Sequence, residues 1–208
     1  MAPAASAPGL TDNLMLPQNE DFLRRAWMAA VNAHHVFPEM AACEAALESG
    51  YGRSSLAVAD NNLFGMKAHT HPDHPEWGEV SLPTREFLDN KFVEVAANWM
   101  RYPDWAACFA DRMATLNRLA PHFPHYKNAL AAGSGTTYVI QVSESWSTDP
   151  GWQCSCGSIF QSKPLADEHA AALGHNISTI LGLGRGEKVL AIYDAIAGDW
   201  SATETNSP

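Results

Sequence analysis

The chain has 208 residues, 46% of them hydrophobic and 17% charged, enough to bury one substantial core, or a core plus a small satellite. Its 23 acidic against 13 basic residues give a formal net charge of −10 at pH 7, which argues against electrostatic capture of nucleic acid or of an anionic membrane surface. No stretch reaches the roughly 18 apolar residues of a membrane helix, and the opening MAPAASAPGL has neither a basic n-region nor a continuous apolar h-region, so no span and no secretory address are expected.

Residues 1–17 are rich in Ala, Pro and Ser without amphipathic period and read as a loosely held arm. From 19 to 35 the apolar residues Phe22, Leu23, Ala26, Trp27, Ala30 and Val31 recur at helical spacing. Pro38 suits the first turn of a second helix, Ala41, Ala42, Ala45, Ala46 and Leu47 favour its continuation, and Gly50 suits its end. Glu48 then falls in the last turn, where the helix dipole disfavours a negative charge. If packing also strips it of water, its carboxyl holds a proton near neutral pH; otherwise it is a solvated helix-end glutamate.

RSSLAVAD (53–60) reads as a short helix, and NNLFGMKA (61–68) as a turn in which Gly65 permits a close backbone approach. In AHTHPDHPEWGE (68–79), His69, His71 and His74 could ligate zinc, but no periodic scaffold fixes them, so a loop is expected. Partial alternation between 78 and 99 around LDNK predicts a β-hairpin turning at Asp89 and Asn90, with Glu86 on its first strand. Pro103 can open a helix with Trp105, Cys108, Phe109, Arg112, Met113 and Leu116 on one face, a helical piece spans 121–133, and Thr136 can cap another that runs to Trp146. Cys43 and Cys108 lie in the alanine-rich patterns MAACEAALE and DWAACFAD and are expected as small buried hydrophobes, a disulfide between them staying open.

Five blocks, in order, are ALESGYG (46–52), NNLFGMKA (61–68), TREF (84–87), RYPDWAACFAD (101–111) and STDPGW (147–152). Together they resemble the signature of the glycoside hydrolase family 73 glucosaminidases, lysozyme-like enzymes that include flagellar peptidoglycan hydrolases, autolysins and phage lysins. The resemblance implies an α+β, mostly helical fold, with a lysozyme-like helical lobe and a β-hairpin lobe. It implies an endo-β-N-acetylglucosaminidase that cleaves the β-1,4 bond between N-acetylglucosamine and N-acetylmuramic acid in peptidoglycan. Glu48 becomes the acid, Glu86 of Thr84-Arg85-Glu86 the second carboxylate, with Glu76, Glu79, Asp89 and Glu94 as rivals. Tyr51, Asn62, Phe64 and Lys67 become sugar-groove candidates, Phe64 standing equally well as core. Trp146 stands where relatives carry a tyrosine before the TDP block, which keeps a stacking face and loses a hydroxyl. No cofactor is implied for catalysis. The partner is a peptidoglycan glycan strand, oligomeric state is left open, and a phage lysin held in the host cytoplasm until release fits the missing secretory address. A muramidase, a lytic transglycosylase or a non-catalytic wall binder is the competing expectation.

The family's final helix should follow STDPGW at once, yet GEKVLAIYDAI begins only at 186, so 153–185 reads as an insertion into a glucosaminidase domain of 18–152 and 186–199, with 200–208 as a tail. The insertion contains CSCGSIFQSKPLADEHAAALGH. Twelve residues separate Cys156 from His169, five lie between His169 and His175, and Phe160 follows at the place of a finger's core aromatic. With Cys154, this resembles a C2H2 zinc finger with a shortened knuckle, in which four ligands hold a structural Zn2+ and fold a segment too short to build a core. The alternative is a plain helical hairpin. Lys163 and Arg185 are its only basic residues, so a nucleic-acid role is not expected.

Overall fold

The computed structural model describes residues 16–71, 73–88, 91–146, 151–179 and 184–196, and no side chain of 84–88 or 91–93. Residues 1–15 of the expected N-terminal arm, the Asp89–Asn90 turn, most of the STDPGW block and the tail lie outside the described residues, while Pro17, the last residue of that arm, already belongs to the first helix.

Two helices open the chain, α1 (Pro17–Asn32) and α2 (Pro38–Ser49), each with proline in its first turn, where the missing N–H costs no hydrogen bond. Gly50 ends α2 at φ 59, a left-handed conformation that a side chain would strain. Eight of the twelve residues of α2 are buried, among them all four alanines and Cys43, so the helix is enclosed on several sides and packs against α1 and two later helices. Helix α3 (Ser55–Asp60) follows, its N-terminus capped by Ser54, whose hydroxyl accepts the Ala57 N–H at 3.2 Å.

The NNLFGMKA segment is pinned by Asn62. Its amide donates to the carbonyls of Met66 at 3.0 Å and Met100 at 2.9 Å, while its oxygen accepts the Met66 N–H at 2.8 Å. These bonds tie the turn to the hairpin of β1 (Gly78–Leu88) and β2 (Lys91–Arg101), antiparallel in a register that runs from Gly78↔Arg101 to Leu88↔Lys91. The register leaves a two-residue connection at 89–90, as the LDNK pattern requires.

Three helices return to the core: α4 (Trp105–Leu119), α5 (Pro124–Leu130) and α6 (Gly135–Trp146). Asp104, one residue past the expected Pro103, caps α4 by accepting the Ala107 N–H at 2.8 Å. At α6 the capping oxygen belongs to Ser134, which accepts the Thr137 N–H at 3.2 Å, and Thr136 lies inside the helix. Cys43 and Cys108 are both buried free thiols, and Cys108 Sγ accepts the Leu63 N–H at 3.4 Å.

A small unit follows, with β3 (Trp152–Cys154), β4 (Ile159–Phe160), α7 (Lys163–Leu173) and β5 (Ile177–Thr179). Its antiparallel sheet has the order β4-β3-β5, and α7 ends at Gly174 with φ 67. Helix α8 (Arg185–Ile196) then packs back on α2 and α6, its Val189, Ile192 and Ile196 joining the common core.

Candidate active site

Glu44 and Glu48 lie one turn apart on α2 and therefore on one face. Glu44 is wholly buried and meets two guanidiniums: Arg112 of α4 approaches to 2.7 Å, and Arg185, in the first turn of α8, donates from Nη1 at 2.9 Å. The Tyr138 hydroxyl adds a donor at 3.3 Å. Burial pushes the Glu44 carboxyl up, but the charges of Arg112 and Arg185 more than offset this and hold it below the usual glutamate range. Arg112 is itself sandwiched, its guanidinium carbon 4.7 Å from the centroid of Phe64 and 4.2 Å from that of Trp146.

Arg185 carries this buried node to the surface. Its Nε donates to Glu48 Oε1 at 2.7 Å and its Nη1 also reaches Ser143 Oγ at 3.0 Å. Glu48 falls between the two readings left open for it, neither stripped of water nor freely solvated: it is paired with a cation, and its side chain stays 27% exposed. The reason is the Gly50 terminus, which turns the chain aside and leaves the last turn of α2 open to a cleft of about 560 Å³.

Phe64, Lys67 and Trp146 line this cleft with Glu48, joined by His69, Trp99, Arg118 and Tyr126. Lys67 Nζ lies 4.5 Å from the centroid of Trp99, so a cation and an indole face share one wall. Phe64 is 3% exposed and stacks edge-on against Phe109, so it is both core and cleft floor. Tyr51 is placed elsewhere: its ring packs on Phe22 and beneath the Arg53 guanidinium. Asn62 is 1% exposed and its bonds go to backbone, which makes it a fastener of the turn. Glu86 lies on β1 opposite Val93, and its side chain is outside the described part.

The histidine-rich loop turns His69 and His71 toward one oxygen, Asp111 Oδ1, at 2.9 and 3.9 Å, while His74 pairs with Glu76 at 3.0 Å. Tyr102 donates to the same Asp111 carboxylate, and His74 stacks on Trp77 at 4.2 Å. Among the described residues the one cluster with metal-ligand geometry is Cys154, Cys156, His169 and His175, whose ligand atoms all lie within 4.8 Å of one another. Cys154 Sγ and His175 Nδ1 are 3.2 Å apart, as are Cys156 Sγ and His169 Nε2. Two sulfurs and two imidazole nitrogens at this spacing fit a closed tetrahedral zinc site, and the single residue between the cysteines is no obstacle. Hydrogen bonding to Ser158, then to Cys154 and His169, brings the Cys156 thiol down to about 5, which favours the ligating thiolate.

This unit is seated on the helical core by two carboxylates. Glu144 of α6 accepts the Gln161 N–H and the Ser162 hydroxyl, each at 3.0 Å, while Glu187 of α8 accepts the Lys163 N–H and, at 3.1 Å, the Trp152 indole N–H. Glu44, Arg112 and Arg185 were not singled out from sequence as site residues. A glutamate among the apolar residues Met40, Ala41 and Leu47 of α2, one turn before Glu48, together with an arginine on an apolar face of α4, was the available signal.

Comparison with known proteins agrees with the chain's motifs. Residues 24–165 match the glucosaminidase family described as mannosyl-glycoprotein endo-beta-N-acetylglucosaminidase. The exo-glucosaminidase LytG of Bacillus subtilis is 30% identical over 139 residues, covering 65% of this chain and 47% of its own length. The peptidoglycan hydrolase FlgJ of Vibrio parahaemolyticus is 32% identical over 127 residues, covering 58% of this chain and 39% of its own. The chain therefore spans less than half the length of these two relatives. In fold it is similar to the catalytic domain of the autolysin Auto from Listeria monocytogenes, with a TM-score of 0.61 at 18% identity over 93% of this chain and 97% of that one. A truncated glycoside hydrolase domain of Salmonella typhimurium FlgJ gives 0.51 at 18% identity over 85% and 96%. With the family match running from within α1 into α7, this chain belongs to the glucosaminidase family of glycoside hydrolases.

Proposed function

We propose that the chain hydrolyses the β-1,4 bond between N-acetylglucosamine and N-acetylmuramic acid in peptidoglycan, acting as an endo-β-N-acetylglucosaminidase. The observation that carries this reading is Glu48, anchored through one oxygen and opening on an aromatic-walled cleft. Among the described residues Arg185 is the only side-chain hydrogen-bond partner of the Glu48 carboxylate, and it engages Oε1, so Oε2 is the oxygen proposed to pass a proton to the substrate. Glu48 gives that proton to the glycosidic oxygen as the C–O bond breaks and positive charge develops at the anomeric carbon. Glu86, on the hairpin strand, takes a proton from the attacking water or stabilises that charge. Trp146, Phe64 and Trp99 offer apolar faces to the sugar rings, and Lys67 a cation beside them.

Zn2+ held by Cys154, Cys156, His169 and His175 is proposed as a structural ion that supplies cross-linking and takes no part in bond cleavage.

Mass spectrometry of digested peptidoglycan tests the reading, with Glu48→Gln as control. Reducing-end glucosamine from the native chain and loss of at least ~100-fold in turnover for Glu48→Gln, at unchanged fold, are expected. Reducing-end muramic acid would reassign the bond, anhydro-muramic acid would make the reaction a transglycosylation, and a Glu48→Gln variant that still turns over would remove Glu48 from the chemistry. Glu86→Gln is expected to lower turnover as well.

A further inference from the structure

We infer that Arg185 is the positioning residue for the Glu48 carboxyl, and that metal in the cysteine–histidine unit governs activity by holding Arg185 in place. The inference rests on the proposed roles of Glu48 and of zinc. Arg185 occupies a costly position: it is 3% exposed and lies in the first turn of α8, where the helix dipole disfavours a cation. Glu44, Glu48 and Ser143 offset that cost, and all three contacts require the guanidinium at one point.

What sets that point is the neighbouring unit. Gly184 passes so close to Gln161 that an added Cβ would sit 2.0 Å from the Gln161 carbonyl oxygen. The Gly186 N–H donates to the same carbonyl at 3.3 Å, and Glu187 closes on the Lys163 N–H. Residues 161–163 thus form a seat for the first turn of α8. The seat joins β4 to α7, and its own support is thin, because Cys154 and Ala166 are the only apolar side chains buried among the described residues of the unit. Cys156 stands just before β4 and His169 on α7, so a shared metal clamps the seat from both sides. Removing the metal frees the seat, then Arg185, then the Glu48 carboxyl. The enzyme becomes metal-dependent although the metal touches no substrate.

The test crosses metal removal with Arg185→Lys in the full chain, which keeps a cation beside Glu44 but loses the fork that engages both carboxylates. Turnover and KM are measured on soluble glycan fragments, zinc-loaded and chelator-stripped, with hydrogen exchange of the Gly186 and Lys188 amides as a second readout. Stripping is expected to lower the native kcat by roughly 10- to 100-fold, with KM little changed. It is expected to raise exchange at 186 and 188 while α2 stays protected. Arg185→Lys is expected to show a comparable kcat loss when loaded, and at most about a twofold further loss when stripped, because both changes act through one contact. Equal kcat for loaded and stripped native chain overturns the inference, as does a stripping loss in Arg185→Lys as large as in the native chain. If Arg185→Lys does not fold, the native chain alone decides, and amides at 186 and 188 equally protected in both states overturn it. A metal count of zero fails the zinc reading itself, and a turning-over Glu48→Gln fails the acid reading; each is seen separately from the cycle.

Discussion

His35 and Glu44 face each other's partners in the core, and their titrations act on stability in the same direction at different pH. Burial, and then the Arg112 charge, depress His35 to about 3, so the folded state keeps it neutral. The neutral ring accepts the Phe37 N–H at Nδ1, 3.2 Å away, and has Tyr138 beside Nε2 at 3.4 Å. Between its ordinary value of 6.5 and about 3, the unfolded chain binds a proton that the folded chain refuses, and stability falls as pH drops through that window. The slope from this one group is about 1.4 kcal/mol per pH unit. Glu44, depressed from 4.5, contributes stability that is complete above that value and is lost as pH falls further. Urea unfolding at pH 6.5 and 5 therefore samples the His35 window above that of Glu44, a window the depressed Cys156 thiol shares, and His35→Asn, which preserves an acceptor for Phe37, is expected to remove the His35 share of the difference. An unchanged slope would assign the acid sensitivity to other groups. The place of Glu48 in the last turn of α2 was legible because helix start, continuation and end signals are local in sequence. Arg185 was not, since its two carboxylates stand 137 and 141 residues away and nothing near it marks it as paired.

At the scale of elements, local rules worked where one residue type had to do the job and slipped where several could. Pro38, Gly50 and Gly174 set their helix ends as the sequence requires, whereas Pro17, expected at the end of the arm, opens α1 two residues before the expected start at 19. Around α4 and α6 neighbouring residues competed for the cap, and Asp104 and Ser134 won because their side-chain oxygens reach an N–H that Pro103 and Thr136 cannot serve. The hairpin register followed from its two-residue turn, but the purposes of Asn62 and Tyr51 did not follow from their motif, since it does not say which side of a turn faces the cleft. The junction between the small unit and α8 is the element contact most open to test. Gly184→Ala is expected to destabilise it by about 1–3 kcal/mol, because its methyl group must displace backbone. Gly133→Ala, with nothing within 4 Å of the new Cβ, is expected to stay within about 0.5 kcal/mol. Thermal melts and limited proteolysis at the junction distinguish them, and equal behaviour would show that the close approach carries no constraint.

The whole molecule combines a helical core that folds on apolar burial with a unit that has almost none. The cysteine and histidine spacing was legible because all four side chains lie within 22 consecutive residues, 154–175. Metal analysis of protein purified without chelator is expected to give about one zinc per chain, and chelation to lower the melting temperature of the unit before that of the core. An empty site with an unchanged melting curve would leave the unit as a plain helical hairpin with a small sheet.

The return of α8 to α2 has a consequence for assembly. The last charged partner of Glu44 comes from the far end of the described chain, so the buried carboxylate has Arg112 alone until α8 docks. Contacts this distant in sequence form late, because the intervening loop must first be closed against its entropy. A nascent chain can therefore assemble its first helices and its hairpin while Glu48 still lacks its anchor. Completion of the cleft is a closing event among these contacts, because Glu48 gains its anchor only after α8 has been made and docked.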